Sequence, residues 1–118
     1  MKTLVLGASA NPERYAYKAI GKLKQAGHEV IPLGVKAGTV LGETIETTPQ
    51  LWEDVDTVTL YLGSARQAPY LEYIKELSPR RVIFNPGTEN PEIEQALAAS
   101  GIQTERACTL VLLSTNQY

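Results

Sequence analysis

The chain has 118 residues, 43% hydrophobic and 20% charged, with 11 Lys and Arg against 13 Asp and Glu for a formal net charge of −2. That length makes one domain, and the near-neutral balance lacks the basic footprint of a nucleic-acid binder. A single cysteine, Cys108, and a single histidine, His28, exclude a disulfide framework and a Cys-based zinc site, and leave little for His-based metal chemistry.

Met1-Lys2 leads directly into Thr3-Leu4-Val5-Leu6, an apolar run stopped by Gly7. The pattern predicts a strand buried on both faces of a sheet and argues against a secretory leader. Asn11-Pro12-Glu13 predicts a helix start, with Asn as cap and Pro at the first helical position. Tyr17, Ile20, Leu23 and Lys24 follow at helical spacing, and Gly27 ends the helix. Glu29-Val30-Ile31-Pro32-Leu33 reads as a second strand. Residues 34–42 hold three glycines and no helical period, so a loop with a short extended piece is expected. Residues 49–53 read as one or two helical turns. The third strand spans 56–62 and ends at Gly63-Ser64, and a helix over 65–77 puts Ala68, Leu71, Tyr73, Ile74 and Leu77 near one face. Arg81-Val82-Ile83-Phe84 gives a fourth strand, ended by Asn85-Pro86-Gly87. Asn90-Pro91-Glu92 repeats the helix-start signature, and the Ala-rich helix runs to Gly101. Ile102-Gln103-Thr104 is a short fifth strand. The tail, 107–118, reads equally as a last helical turn or a strand; its run Leu110-Val111-Leu112-Leu113 is the longest aliphatic stretch, far short of the ~20 residues that span a membrane.

Strands separated by helices imply βαβ crossovers, hence a single α/β domain over 1–118 with a doubly wound, five-stranded parallel sheet between helices. Ligands of such sheets bind outside the carboxyl ends of the strands. Three strand ends share a composition: Gly7-Ala8-Ser9-Ala10-Asn11-Pro12, Leu62-Gly63-Ser64-Ala65-Arg66 and Asn85-Pro86-Gly87-Thr88. Each puts a glycine beside small hydroxyl or amide side chains just before a helix. Glycine admits close backbone approach, and helix N-terminal N–H groups favour phosphate. One such loop is ordinary turn chemistry; three on one edge point to a nucleotide-like ligand.

The first loop departs from the dinucleotide fingerprint G-x-G-x-x-G, with Ser9 at the second glycine and Pro12 at the third. No carboxylate closes strand two to hold a ribose 2′-hydroxyl; that end reads Leu33-Gly34-Val35-Lys36, and Glu29 opens the strand instead. Lys36 attracts an extra phosphate, which argues against NAD and leaves NADP or a phosphorylated ADP such as coenzyme A (CoA). Arg14 and Arg66 are placed to reach a pyrophosphate or 3′-phosphate, and equally to be solvated surface charges. Arg80 and Arg81 precede strand four and belong to the opposite edge, as does His28.

The opening Gly7-Ala8-Ser9-x-x-Pro12-x-Arg14 resembles that of the small CoA-binding domain proteins, stand-alone relatives of the N-terminal domain of the succinyl-CoA synthetase alpha subunit. Val58 to Leu62, the stretch from Val82 through Asn85-Pro86-Gly87-Thr88-Glu89-Asn90-Pro91, and Ala107 to Thr115 extend the resemblance over essentially the whole chain. It implies a Rossmann-like fold with strand order 3-2-1-4-5. It also implies CoA lying over Gly7 to Arg14 and the ends of strands two and three. The family usually has Asn-Pro after strand two, where this chain has Gly34-Val35, and often Asn-Pro after strand three, where it has Gly63-Ser64.

The related synthetases need a ligase domain and a phosphorylated histidine. This length leaves no room for the first, so the expectation is a cytoplasmic module that binds CoA or an acyl-CoA without independent catalysis. Cys108 is the one candidate nucleophile; its ordinary role is packing, and a mixed disulfide with the CoA thiol is the alternative. No Tyr–Lys pair stands at i,i+4 as a reductase of the short-chain type requires. The other readings are an NADP-type binder or small oxidoreductase, and a degenerate Rossmann domain acting as an interaction subunit.

Overall fold

A computed structural model describes residues 1–118. Strand β1 (Lys2–Leu6) is followed by helix α1 (Tyr15–Gln25) and β2 (Glu29–Leu33). A two-residue hairpin follows, β3 (Thr39–Val40) and β4 (Glu43–Thr44), then β5 (Thr57–Leu60), α2 (Leu71–Leu77), β6 (Arg81–Phe84), α3 (Pro91–Ala99), β7 (Gln103–Arg106) and α4 (Thr109–Ser114). The five long strands form one sheet in the order β2-β1-β5-β6-β7, parallel at every pairing. The doubly wound α/β class holds, and no helix is long and apolar enough to cross a membrane.

Alternation along the strands divides the interior. Leu4, Leu6, Val58, Leu60, Val82 and Phe84 face one way and pack with Ile74 of α2 and Ile93 and Leu97 of α3. Val5 and Val30 face the other way, onto Ala16, Ile20 and Leu23 of α1, with Leu113 of α4 packed alongside. That second face also buries Thr3, Thr57 and Thr59, and each hydroxyl is satisfied. Thr3 pairs with the Tyr118 hydroxyl at 2.5 Å, Thr57 donates to Asp56 at 2.7 Å, and Thr59 pairs with Thr109 at 2.8 Å.

The strand order corrects the expected 3-2-1-4-5. The third long strand, β5, pairs with β1, so no long strand lies outside β2. A single parallel bridge between Leu33 and Glu46 occupies that place, held by Gly34 N–H to the Glu46 carbonyl and Glu46 N–H to the Pro32 carbonyl, both 2.9 Å. The outer strand is therefore reduced to one bridge at Glu46, just past the stretch 34–42 read as a loop.

Three local expectations also change. The helix start at Asn11-Pro12-Glu13 falls later, at Tyr15, because the Asn11 side chain accepts from Glu13 N–H and closes a turn. Residues 49–53 form no helix: the carbonyls of Gln50 and Glu53 accept from the Tyr73 hydroxyl and the Lys2 ammonium. The expected helix over 65–77 breaks into 3-10 turns at Ser64–Arg66 and Ala68–Tyr70 before α2, since Pro69 has no N–H to continue it. The ambiguous tail is helical as α4, and β7 runs to Arg106.

Candidate functional site

The carboxyl ends of β2, β1, β5 and β6 open into one cleft of about 550 Å³. Gly7, Ala8, Ser9 and Asn11 line it from the β1 loop, with Arg14 just before α1. Gly34 and Lys36 line it beyond β2, Leu62, Gly63 and Arg66 beyond β5, and Pro86 and Gly87 beyond β6. Two expected residues lie elsewhere. Ser64 stands outside the wall, its carbonyl accepting from the Asn90 side chain at 3.1 Å. Asn85 is turned inward and buried; its amide donates to the Thr59 hydroxyl at 2.6 Å and the Leu60 carbonyl at 2.8 Å. Its carbonyl oxygen accepts from Thr109 N–H at 2.9 Å, so Asn85 anchors the start of α4.

The floor of the cleft is made by two loops pressed together. Gly7 and Ala8 N–H both donate to the Leu33 carbonyl, at 2.9 and 3.0 Å. Gly7 has φ +99°, and a Cβ there would lie 2.9 Å from the Tyr61 carbonyl carbon, so both conformation and space require glycine. A Cβ on Gly34 would lie 2.5 Å from the Ala8 carbonyl oxygen. In this chain the β1 and β2 loops therefore approach so closely that a side chain at Gly34 would wedge them apart.

Lys36, Arg14 and Arg66 are exposed on this rim and take part in no ion pair of the fold. No Asp or Glu belongs to the cleft wall. A protein of net charge −2 thus gathers uncompensated positive charge at one sheet edge, where it favours an anion. Glu29, by contrast, lies at the opposite end of β2, beside Lys2 at 3.8 Å.

Sequence reasoning missed the aromatic part of the wall, Tyr15, Tyr61 and Tyr70; the buried Thr88, named with the third strand end, also lines it. Tyr15 and Tyr70 follow Arg14 and Arg66 by one and four residues, so their position at the helix entrances was the available signal. Tyr61 carries a buried hydroxyl with no hydrogen-bond partner, and burial pushes its pKa up to about 12. Gln67, also buried, ties two walls together by donating to the carbonyls of Leu62 at 3.0 Å and Thr88 at 2.6 Å.

The remaining reactive side chains lie away from the cleft. His28 sits at the opposite sheet edge, against the Met1 amine at 3.0 Å and the Tyr118 ring at 4.9 Å; burial and the adjacent ammonium lower its pKa. Arg81 is buried there too, its guanidinium 4.6 Å from the Tyr118 ring, in the structural role expected of it. Cys108 is half-buried at the N-cap of α4, outside the cleft wall. No group of three His, Cys, Asp or Glu side chains converges as a metal site would require.

Residues 1–114 match a family described as a CoA binding domain. No curated protein matches the chain. Among solved structures, one of an uncharacterized protein is 51% identical over 99% of this chain and 97% of its own, with a TM-score of 0.97. The cell-free ID.343 protein from Thermus thermophilus is 26% identical over 99% of this chain and 90% of its own, with a TM-score of 0.87. The dinucleotide forming acetyl-coenzyme A synthetase 1 of Ca. Korarchaeum cryptofilum, solved with phosphate and ADP, shares the fold at 17% identity and a TM-score of 0.71. The match covers 87% of this chain and 25% of that one.

Proposed function

The chain belongs to the CoA-binding domain family, and from that premise we propose that it binds CoA or an acyl-CoA in the cleft at the carboxyl ends of β2, β1, β5 and β6. The observation that carries this reading is the wall itself: Arg14, Lys36 and Arg66 without a carboxylate among them, above a floor of glycine loops. CoA concentrates three phosphate groups at its nucleotide end, and exposed guanidinium and ammonium groups recognise them by charge and hydrogen bonding. The N–H groups of Ser9 and Ala10 are the neutral partners of a pyrophosphate, those of Gly7, Ala8 and Asn11 being taken by the Leu33 carbonyl and the Ser9 hydroxyl, and Tyr15 and Tyr70 offer faces to the purine.

The reading is one of binding without independent catalysis. Cys108 and His28, the two side chains with nucleophilic or general-base chemistry near neutral pH, stand outside the cleft. A cytoplasmic setting, where thiols stay reduced, suits an unpaired cysteine and a thiol ligand.

Thermal unfolding with CoA, dephospho-CoA, NADP and NAD tests the proposal. CoA at 100 times its dissociation constant adds ~2.7 kcal/mol of stability and raises Tm; dephospho-CoA does so less, and NAD least. A shift with NADP and none with CoA moves the reading to an NADP-type binder, which Lys36 also suits. No shift with any of the four points to an interaction subunit.

A further inference from the structure

The cleft is not uniformly positive. In the order of the sheet, Lys36 lies beyond β2, Arg14 beyond β1 and Arg66 beyond β5. Beyond β6 the wall carries no cation, and a carboxylate stands behind it. Gly87, a wall residue with φ +90°, presents its N–H in a loop of the kind that cradles anions, yet that N–H is already taken. Glu89 folds back onto it, with carboxylate oxygens 3.0 and 3.3 Å from the Gly87 nitrogen. Glu89 has no ion-pair partner within 4.0 Å, and Arg106, near enough to feel its charge, is itself paired with Glu94 at 2.9 Å.

We infer that Glu89 selects the acyl group: the cleft takes thioesters whose acyl chain is uncharged and disfavours those that end in a carboxylate. The inference rests on the CoA reading above and follows from the chemistry of that ligand. CoA carries all its negative charge at the nucleotide end, and its pantetheine arm and thiol are neutral. Coulomb attraction sets the phosphates over β2, β1 and β5, and the arm then extends toward β6. An acyl carboxylate arriving there meets the Glu89 charge and finds the Gly87 N–H occupied. An uncharged acyl group meets neither obstacle. Like charges a few ångströms apart in water-like surroundings cost about fivefold in affinity, which sets the expected discrimination.

Isothermal titration of acetyl-CoA, CoA and succinyl-CoA into the wild-type protein, Glu89→Gln and Glu89→Lys reads this directly. The wild type is expected to bind acetyl-CoA and CoA alike and succinyl-CoA about fivefold more weakly, with the gap narrowing as salt is raised. Glu89→Gln closes the gap through a gain for succinyl-CoA, and Glu89→Lys reverses the preference. Equal affinities in the wild type, or a gap unchanged in both variants, overturn the inference while leaving CoA binding intact. Failure of all three ligands to bind overturns the proposed function, and this inference with it.

Discussion

Gly34→Ala tests the packing that shapes the cleft. Gly34 has an ordinary backbone conformation, so alanine meets no dihedral penalty and through the unfolded chain alone would stabilise by about 0.4–1 kcal/mol; any loss must come from space. The new Cβ would lie 2.5 Å from the Ala8 carbonyl oxygen, a backbone atom with no rotamer to yield, so the loops must part by roughly 0.9 Å to reach ordinary contact at 3.4 Å. That movement stretches the two bonds from Gly7 and Ala8 N–H to the Leu33 carbonyl, each with a net worth of about 1 kcal/mol. Overpacking of this kind costs about 1–3 kcal/mol, or roughly 3–6 °C of Tm per kcal/mol for a chain of this size. Urea denaturation and CoA titration are to be run beside Gly63→Ala, a cleft glycine whose Cβ would meet nothing within 4 Å and whose change should stay within about 0.5 kcal/mol. Gly34→Ala should lose both stability and CoA affinity. A variant as stable as wild type, binding CoA equally well, refutes the account of why this loop needs glycine.

Asn85→Ala should lower unfolding free energy by about 2–4 kcal/mol, because it strips partners from the buried Leu60 carbonyl, Thr59 hydroxyl and Thr109 N–H. Folded protein should keep CoA affinity within about twofold, and a loss of affinity without a loss of stability would return Asn85 to the binding wall. At alkaline pH Tyr61, Tyr73 and Tyr118 push the same way, and the folded pKa of Tyr61, about 12, exceeds its unfolded value of 10.0. The unfolded state releases its proton first, so this contribution is intact below pH 10 and is lost as pH rises toward 12. Tyr61→Phe should flatten the fall in Tm over that range, and identical slopes would contradict the burial argument. Arg14→Ala and Lys36→Ala should each weaken CoA binding. The residue that holds the 3′-phosphate should show the smaller loss against dephospho-CoA in titrations, and equal losses exclude both from that contact.

The sequence signals that survived are those in which local chemistry and packing agree. The run Leu4 to Leu6 is apolar and buried at every position, and the Asn90 signature holds because its side chain accepts from Ile93 N–H, three residues on, as a helix cap does. Glu94 reinforces it by accepting from Asn90 N–H at 2.9 Å while pairing with Arg106. The same Asn-Pro-Glu signature at Asn11 misled, since there the side chain accepts from Glu13 N–H, two residues on, and Ser9 accepts from Asn11 N–H. Only the neighbouring strand end decides between these geometries. The vestigial outer strand was illegible because one bridge at Glu46 carries no periodicity. Most cleft residues were readable as strand-end glycines and nearby cations. Asn85 was not, because an asparagine serving as an internal brace and one serving a ligand look alike in sequence. Glu89 was overlooked because its role depends on folding back to Gly87.

A crystal structure of the protein grown with CoA tests the central claim most directly. The account predicts the nucleotide in the cleft at the carboxyl ends of β2, β1 and β5, its phosphates on the Gly7–Asn11 loop and among Arg14, Lys36 and Arg66, and its thiol toward Gly87. CoA bound elsewhere, such as the groove between α1 and α4 lined by Lys18, Lys22 and Val111, would contradict it.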